Sequence, residues 1–128
     1  MNKNSNLVIF SIGGISYGMI EILWRKYTHW TMVLTGGTCF TVLYRIFRKI
    51  ADTKVWKKCI IGSAVITGIE FTVGCIVNIW GKMKVWDYSD KPMNLCGQIC
   101  IGYSALWGIL TLPICGLCSI LRKKFGDI

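Results

Sequence analysis

The chain has few acidic residues and a single histidine, and it lacks the short sequence that marks a nucleotide-binding loop. Its 128 residues include six Asp and Glu and one His. The nucleotide-binding pattern G-x-x-x-x-G-K-[ST] does not occur, which excludes a P-loop ATPase domain within this chain. Cys115-x-x-Cys118 has the spacing of a zinc pair, but no His or acid lies near it. The sequence therefore predicts neither a metal site nor a cofactor.

Long polar segments are also missing, and hydrophobic residues make up 53% of the chain. Four apolar stretches occupy residues 7–24, 30–47, 59–80 and 95–121. A helix needs roughly 17–25 apolar residues to cross a hydrocarbon core about 30 Å thick. We therefore predict an all-α integral membrane bundle of four transmembrane helices, with residues 1–128 forming a single transmembrane domain.

Positive charge is in excess, with 15 Lys and Arg and a net charge of +9. In a soluble protein this balance would suggest nucleic acid. Here the basic residues lie between the apolar stretches, where they contact anionic lipid headgroups, so we expect membrane lipids and no nucleic acid as partners. Ten basic residues lie in the segment 45–58 and near the two termini, against five in the other two loops. The positive-inside rule therefore predicts a multi-pass protein of the cell membrane with both termini in the cytoplasm.

That orientation also predicts an aromatic belt at the outer interface, because Trp and Tyr prefer headgroup depth. The belt would consist of Trp24, Tyr27, Trp30, Trp80, Trp86 and Tyr88.

Two acids interrupt the apolar stretches. Glu70 lies near the middle of the third stretch, and Glu21 lies close to the end of the first. A charged carboxylate in the bilayer is costly, so we predict that Glu70 faces the interior and serves a ligand, ion or proton site. The structural alternative is a neutral acid that hydrogen-bonds a neighbouring helix. For Glu21 the simplest expectation is an ion pair with Arg25, four residues on.

Small and polar residues recur at helical spacing in the same stretches. Gly14 and Gly18 form a G-x-x-x-G pair, and such residues let helices approach closely in lipid. The third stretch has Ser63, Thr67, Glu70, Gly74 and Asn78 on one side, and the fourth has Gly97, Ile101, Ser104, Gly108, Thr111, Cys115 and Cys118. A shift of 49 residues aligns Glu21 with Glu70, so the bundle could consist of two repeated helix pairs, as in parallel transporter repeats.

The polar residues at the ends of these stretches follow an ordered pattern. It reads Tyr17-x3-Glu21-x2-Trp24-Arg25-x2-Thr28-His29-Trp30, Gly36-Gly37, Ile69-Glu70-x3-Gly74, Trp86-Asp87-Tyr88-Ser89, Asn94-Leu95-x-Gly97-Gln98-Ile99 and Trp107. From about Gly13 to Pro113 the chain resembles the CmpB-like family of small membrane proteins, the ABC-transporter type IV permeases. The resemblance implies a four-helix membrane protein with a transport role. Because no nucleotide-binding loop is present, any ATPase would be a separate partner.

Three functions remain open. In the leading hypothesis the protein, as a homodimer or beside a larger membrane subunit, binds and transports a small solute, ion or lipid. The predicted ligand-binding residues are Glu70, Glu21, Arg25, His29, Trp30, Trp86, Asp87, Tyr88, Asn94 and Gln98. In the second hypothesis it is an intramembrane enzyme acting on a lipid or isoprenoid headgroup at the outer leaflet. His29 would then be the general base, oriented by Asp87 or Glu21, and Arg25 would hold a phosphate. In the third it is an accessory subunit of a larger membrane complex.

Overall fold

The protein is all-helical over the residues that its structure, a computed structural model, describes. These are residues 3–125; residues 1–2 and 126–128 of the predicted domain lie outside them. The helices are α1 (Lys3–Arg25), α2 (Trp30–Lys49), α3 (Val55–Gly74) and α4 (Ile101–Phe125), with a π-helical segment (Cys75–Trp80) that directly continues α3. Between residues 3 and 125 there is no β-strand, and Leu95 and Ile99 form an isolated antiparallel bridge.

Three helical stretches are long and apolar enough to cross a membrane. They are Ser5–Arg25, Val55–Trp80 and Ile101–Phe125. The predicted all-α class is therefore confirmed, and three of the predicted stretches lie in helices able to cross a membrane. α2 as the fourth span stays a prediction.

α2 is less apolar because its 20 residues include three basic residues, four threonines and two glycines. The hydroxyls of Thr35, Thr38 and Thr41 each donate to the carbonyl four residues earlier, at 2.7 to 2.9 Å. Hydrogen bonds within the helix reduce the cost of placing such groups in apolar surroundings. The polar composition of α2 is therefore compatible with the interior of a membrane.

The described chain divides into two compact units. The first contains the residues up to Thr53 and those from Pro113 onward, and the second contains Lys54–Leu112. α4 passes from one unit to the other at Pro113. Proline has no N–H to bond the carbonyl four residues earlier, which weakens a helix at that point. The pairing of two sequence repeats stays a prediction.

In the first unit, α1 and α2 pack together through glycines. A Cβ atom on Gly14 would lie 2.8 Å from the Val33 carbonyl oxygen, and one on Gly37 would lie 2.8 Å from that of Phe10. Ten of the 20 residues of α2 are buried, including Gly36 and Gly37. The predicted role of small residues in helix packing is therefore confirmed for Gly14. The burial of α2 also explains its lower hydropathy, since much of its surface contacts protein.

In the second unit, the predicted faces of α3 and α4 meet in part, whereas Gly97, predicted on the fourth helix, lies before α4 begins. The Ser63 hydroxyl donates to the Ser104 carbonyl oxygen at 2.6 Å, and Thr67 Oγ1 lies 2.8 Å from Ser104 Oγ. Gly62 lies directly against the side chain of Thr111. Hydrogen bonds of Ser63 and Thr67 with Ser104 therefore link the two apolar helices.

α4 begins at Ile101, whereas the apolar stretch in the sequence begins at residue 95. The reason is local backbone geometry. Met93, Cys96 and Gly97 have φ angles of 54°, 57° and 73°, which a right-handed helix does not allow. Residues 95–100 therefore belong to the long connection between the π-helical segment and α4, which we call the 81–100 loop.

Candidate ligand sites

Glu21 lies in the first unit as a buried ion pair. Only 6% of the residue is exposed, and the carboxylate oxygen Oε2 lies 2.8 Å from Arg25 Nε. The Tyr17 side chain hydrogen-bonds the same carboxylate, and the Arg25 guanidinium lies 4.6 Å from the centre of the Tyr27 ring. The predicted pairing of Glu21 with Arg25 is confirmed. A guanidinium carries five N–H donors, so this arrangement can also bind a phosphate or carboxylate group.

A buried hydroxyl lies in the same connection between α1 and α2. Thr28 Oγ1 is buried and has no hydrogen-bond partner among the described residues. A buried polar atom without a partner is costly. Thr28 is therefore a candidate contact for a ligand or a water molecule, and the sequence pattern did not single it out for that role.

His29 acts as the N-cap of α2. Its Nδ1 accepts a hydrogen bond from the Thr31 backbone N–H at 3.3 Å and lies 2.7 Å from Thr31 Oγ1. The ring centre lies 5.6 Å from that of Trp30, which is exposed. The enzyme hypothesis needs a carboxylate that orients the imidazole of His29. Thr31, and not a carboxylate, contacts the Nδ1 atom of this ring. The contacts of His29 favour a capping role over that of a general base.

Glu70 lies in the second unit, deep within the apolar stretch Val55–Trp80. Only 4% of the residue is exposed. It belongs to a buried row on α3 in which residues recur every four positions: Gly62, Ile66, Glu70 and Gly74. Gly62 packs against Thr111, and Gly74 packs against Gln98 and Trp86. The acid therefore lies on the covered side of α3, one turn before the contact with the 81–100 loop.

The 81–100 loop is closed by two amide side chains. Asn78 Nδ2 donates to Gln98 Oε1 at 2.8 Å, and Asn78 Oδ1 accepts from the backbone N–H groups of Val85 at 2.7 Å and Trp86 at 3.4 Å. Gln98 Nε2 donates to the Cys96 carbonyl at 3.0 Å. Trp86 is 6% exposed, and its indole N–H donates to the Gln98 carbonyl at 3.0 Å. These bonds hold the loop against the end of the π-helical segment.

Three further predicted site residues also have structural partners in this loop. Asp87 Oδ1 accepts from the Ser89 backbone N–H at 2.9 Å. Asn94 Nδ2 donates to the carbonyls of Lys91 and Ser89, and its Oδ1 accepts from the Gly97 N–H. The Tyr88 ring stacks on that of Tyr103, with centres 4.8 Å apart.

The ten predicted site residues therefore fall into three places. The connection between α1 and α2 has four of them near it: Glu21, Arg25, His29 and Trp30. The 81–100 loop contains five, namely Trp86, Asp87, Tyr88, Asn94 and Gln98, and α3 carries Glu70. Sequence reasoning missed the structural roles of Tyr17, Asn78 and Tyr103. A signal was present for Asn78, because an amide within an apolar stretch needs hydrogen-bond partners.

Four of the six residues of the predicted aromatic belt are exposed. Trp24, Tyr27, Trp30 and Trp80 are exposed. Trp86 differs, because its indole N–H finds a carbonyl within the 81–100 loop. It therefore belongs to the folded loop and not to an exposed belt.

The Asp87 side chain is expected to make the 81–100 loop sensitive to acid. Hydrogen bonds from the Ser89 backbone N–H and the Ser89 hydroxyl lower the pKa of Asp87 below its usual value. Because the pKa of Asp87 is lower in the folded loop, the ionised carboxylate stabilises the loop at pH values above the unfolded pKa of about 3.9. This stabilisation is lost as the pH falls through the pKa of the folded loop. We therefore expect Trp86 fluorescence to change in that acidic range.

Asp87→Asn is the matched variant, since it keeps an acceptor oxygen but does not titrate. It should flatten this part of the pH profile, whereas Asp90→Asn in the same exposed loop should not. Identical profiles for wild type and Asp87→Asn would contradict the role of Asp87.

Within residues 3–125 no group of three or more His, Cys, Asp or Glu residues could hold a metal ion.

Two comparisons with known proteins gave no match, and one matched nearly the whole chain. No curated protein and no solved structure matches the sequence. Residues 6–126 match the model of one protein family, described as "Putative ABC-transporter type IV". The chain therefore belongs to this family, and its three helices able to cross a membrane make it a transport-related membrane protein.

Proposed function

We propose that this protein is the membrane-embedded part of a permease that binds a small solute, ion or lipid and moves it across the membrane. One observation supports this proposal above others. Glu21 and Glu70 are both buried, each within an apolar stretch able to cross a membrane and each in a different unit. Acids at such positions are expensive, and they commonly mark substrate or ion pathways.

The two acids suit different chemical groups. Glu70 is buried within its apolar stretch, and an ionised carboxylate at that depth is a suitable ligand for a cation. Glu21 is already paired with Arg25. The first unit is therefore the better site for an anionic group, with Arg25 as its ligand and the Tyr27 ring against its guanidinium. The 81–100 loop, with Trp86 and Tyr88, would form the outer mouth above Glu70.

The remaining features of the proposal concern the surroundings of the protein. The distribution of Lys and Arg supports a cell-membrane protein with both termini in the cytoplasm. The chain has no nucleotide-binding loop, so energy from ATP would come from a separate ATPase or a larger membrane subunit. The transport route would include a second copy of the chain.

The test is native mass spectrometry of the protein released gently from membranes, which reads bound small molecules and oligomeric state together. We compare wild type with Glu70→Gln, Glu21→Gln and the control Asp52→Asn. The control removes one negative charge from an exposed position in the connection between α2 and α3. We expect a co-purified small molecule in wild type and in the control. Glu70→Gln should reduce its occupancy at least about tenfold, since a hydrogen bond to a charged group contributes about 1.5–3 kcal/mol.

Two results would contradict the proposal. One is a protein that carries bulk lipid only in all four forms. The other is a folded Glu70→Gln protein, with the thermal midpoint of wild type, that keeps the same bound molecule at the same occupancy. Either result would favour the accessory-subunit function.

A further inference from the structure

The segment 45–58, which joins α2 to α3, carries the largest concentration of charge in the chain. It contains six basic residues and a single acid, Asp52. We call it the basic segment, and its basic residues are Arg45, Arg48, Lys49, Lys54, Lys57 and Lys58. One carboxylate leaves the segment with a net charge of five.

Two apolar residues lie exposed among these charges. Val55 and Trp56 are 53% and 58% exposed and begin α3. The Lys57 ammonium group lies 5.5 Å from the centre of the Trp56 ring. A Trp beside lysines at the end of a membrane-spanning stretch is the arrangement that proteins use at headgroup depth, since the ring is apolar at one end and polar at the other.

Helix stability does not explain the lysines in this segment. The start of a helix is its positive end, where cations are unfavourable and acids are preferred. α3 has no acid in its first turn, and Lys54 at the N-cap makes no side-chain capping bond. The exposed Lys54 and Lys57 therefore weaken the start of the helix unless negative charge lies close by.

We propose that the part of the basic segment at the start of α3, with Lys54, Trp56, Lys57 and Lys58, is a docking surface for the anionic headgroups of phospholipids. The apolar and aromatic side chains between the lysines favour a membrane surface over a purely acidic protein. Trp56 sits two residues into the apolar stretch Val55–Trp80, which puts the lysines beside it at the level of the phosphates. Basic clusters of this kind next to a membrane helix bind anionic lipid with a contribution from each charge.

The test measures the retention of phosphatidylglycerol against phosphatidylcholine by the full-length protein. Equal amounts of the two lipids are supplied in mixed micelles, and native mass spectrometry counts the molecules retained. The test variant is K54Q/K57Q/K58Q, and the matched control is K82Q/K84Q/K91Q, which removes three lysines from the 81–100 loop. A third variant, K54R/K57R/K58R, keeps the charge and must keep the lipid preference.

We expect the preference for phosphatidylglycerol to fall about fivefold for each lysine removed from the basic segment. The control variant should change the preference for phosphatidylglycerol by less than about fivefold in total. Raising the salt concentration should weaken the preference of wild type, because added ions screen exposed charges.

Two outcomes would overturn the proposal, with thermal midpoints showing that all variants remain folded. One is an unchanged preference in the Gln variant of the basic segment. The other is an equal loss in both triple variants, which would mean that net charge alone attracts the lipid. Capture of an acidic membrane partner by wild type, lost in the Gln variant while the lipid preference stays unchanged, would replace the lipid with a protein.

Discussion

Alanine at Gly14 or Gly37 is expected to separate α1 from α2 and to lower the thermal midpoint of the protein in detergent. At both positions the new methyl group would lie 2.8 Å from a backbone carbonyl oxygen of the other helix. At Gly37 it would also lie 2.9 Å from two atoms of the Phe10 ring. A backbone oxygen moves only if the helix moves. Overpacking of this kind typically costs about 1–3 kcal/mol, which exceeds the gain of up to about 1 kcal/mol from the higher helix propensity of alanine.

The glycines of the chain offer a graded control for this prediction. A Cβ atom on Gly18 would meet Val33 Cγ2 at 3.3 Å, whereas nothing lies within 4 Å of one on Gly116. Gly18→Ala should therefore have a small effect, and Gly116→Ala should leave the protein equally stable or slightly more stable. If Gly14→Ala and Gly37→Ala melt together with Gly116→Ala, the packing of α1 on α2 described above is wrong.

Replacing Asn78 with leucine is expected to open the 81–100 loop while α1 and α2 stay folded. The substitution removes three hydrogen bonds, to Val85, Trp86 and Gln98. It also removes the acceptor that lies 2.7 Å from the backbone nitrogen of the buried Val85. Each buried group that loses its partner costs about 1–3 kcal/mol. Several such losses together remove the hydrogen bonds that hold the loop, so the loop should detach from the end of the π-helical segment.

Hydrogen exchange resolved along the chain is the suitable measurement for Asn78→Leu. Protection should fall across residues 81–100, and Trp86 fluorescence should shift to that of a solvated indole. Asn78→Asp keeps the acceptor for Val85 and Trp86 and should give an intermediate loss. Thr72→Val is the control, because its hydroxyl bonds only the Gly68 carbonyl within α3. Full protection of the loop in Asn78→Leu would show that the Asn78 bonds do not hold it.

The opening of this loop also tests whether the 81–100 loop covers a ligand site at Glu70. Gly74 lies one turn from Glu70 and packs against Gln98 and Trp86. If the loop covers the route to Glu70, Asn78→Leu should change the occupancy of a bound molecule together with Glu70→Gln. If the occupancy changes in Glu70→Gln alone, the loop has a structural role only.

The sequence by itself determined the all-α class of the protein, its family and the bounds of α2 to within two residues. Apolar length predicts a membrane helix because the bilayer has a fixed thickness. The spacing of four between Glu21 and Arg25 predicts their ion pair, since such residues are neighbours on any helix. The glycines of α1 indicated a packing face for the same local reason. None of these conclusions depends on where distant parts of the chain lie.

The tertiary structure decided which polar residues remain available for a ligand. Asn78 and Gln98 are 20 residues apart, and their hydrogen bond exists only because the 81–100 loop folds back onto the π-helical segment. That return depends on the positive φ angles of Met93, Cys96 and Gly97, which no periodicity reveals. The loop thereby uses Trp86, Asp87, Asn94 and Gln98 for its own structure. The burial of Glu70 is likewise a tertiary result, because covering one side of α3 requires packing from residues remote in sequence.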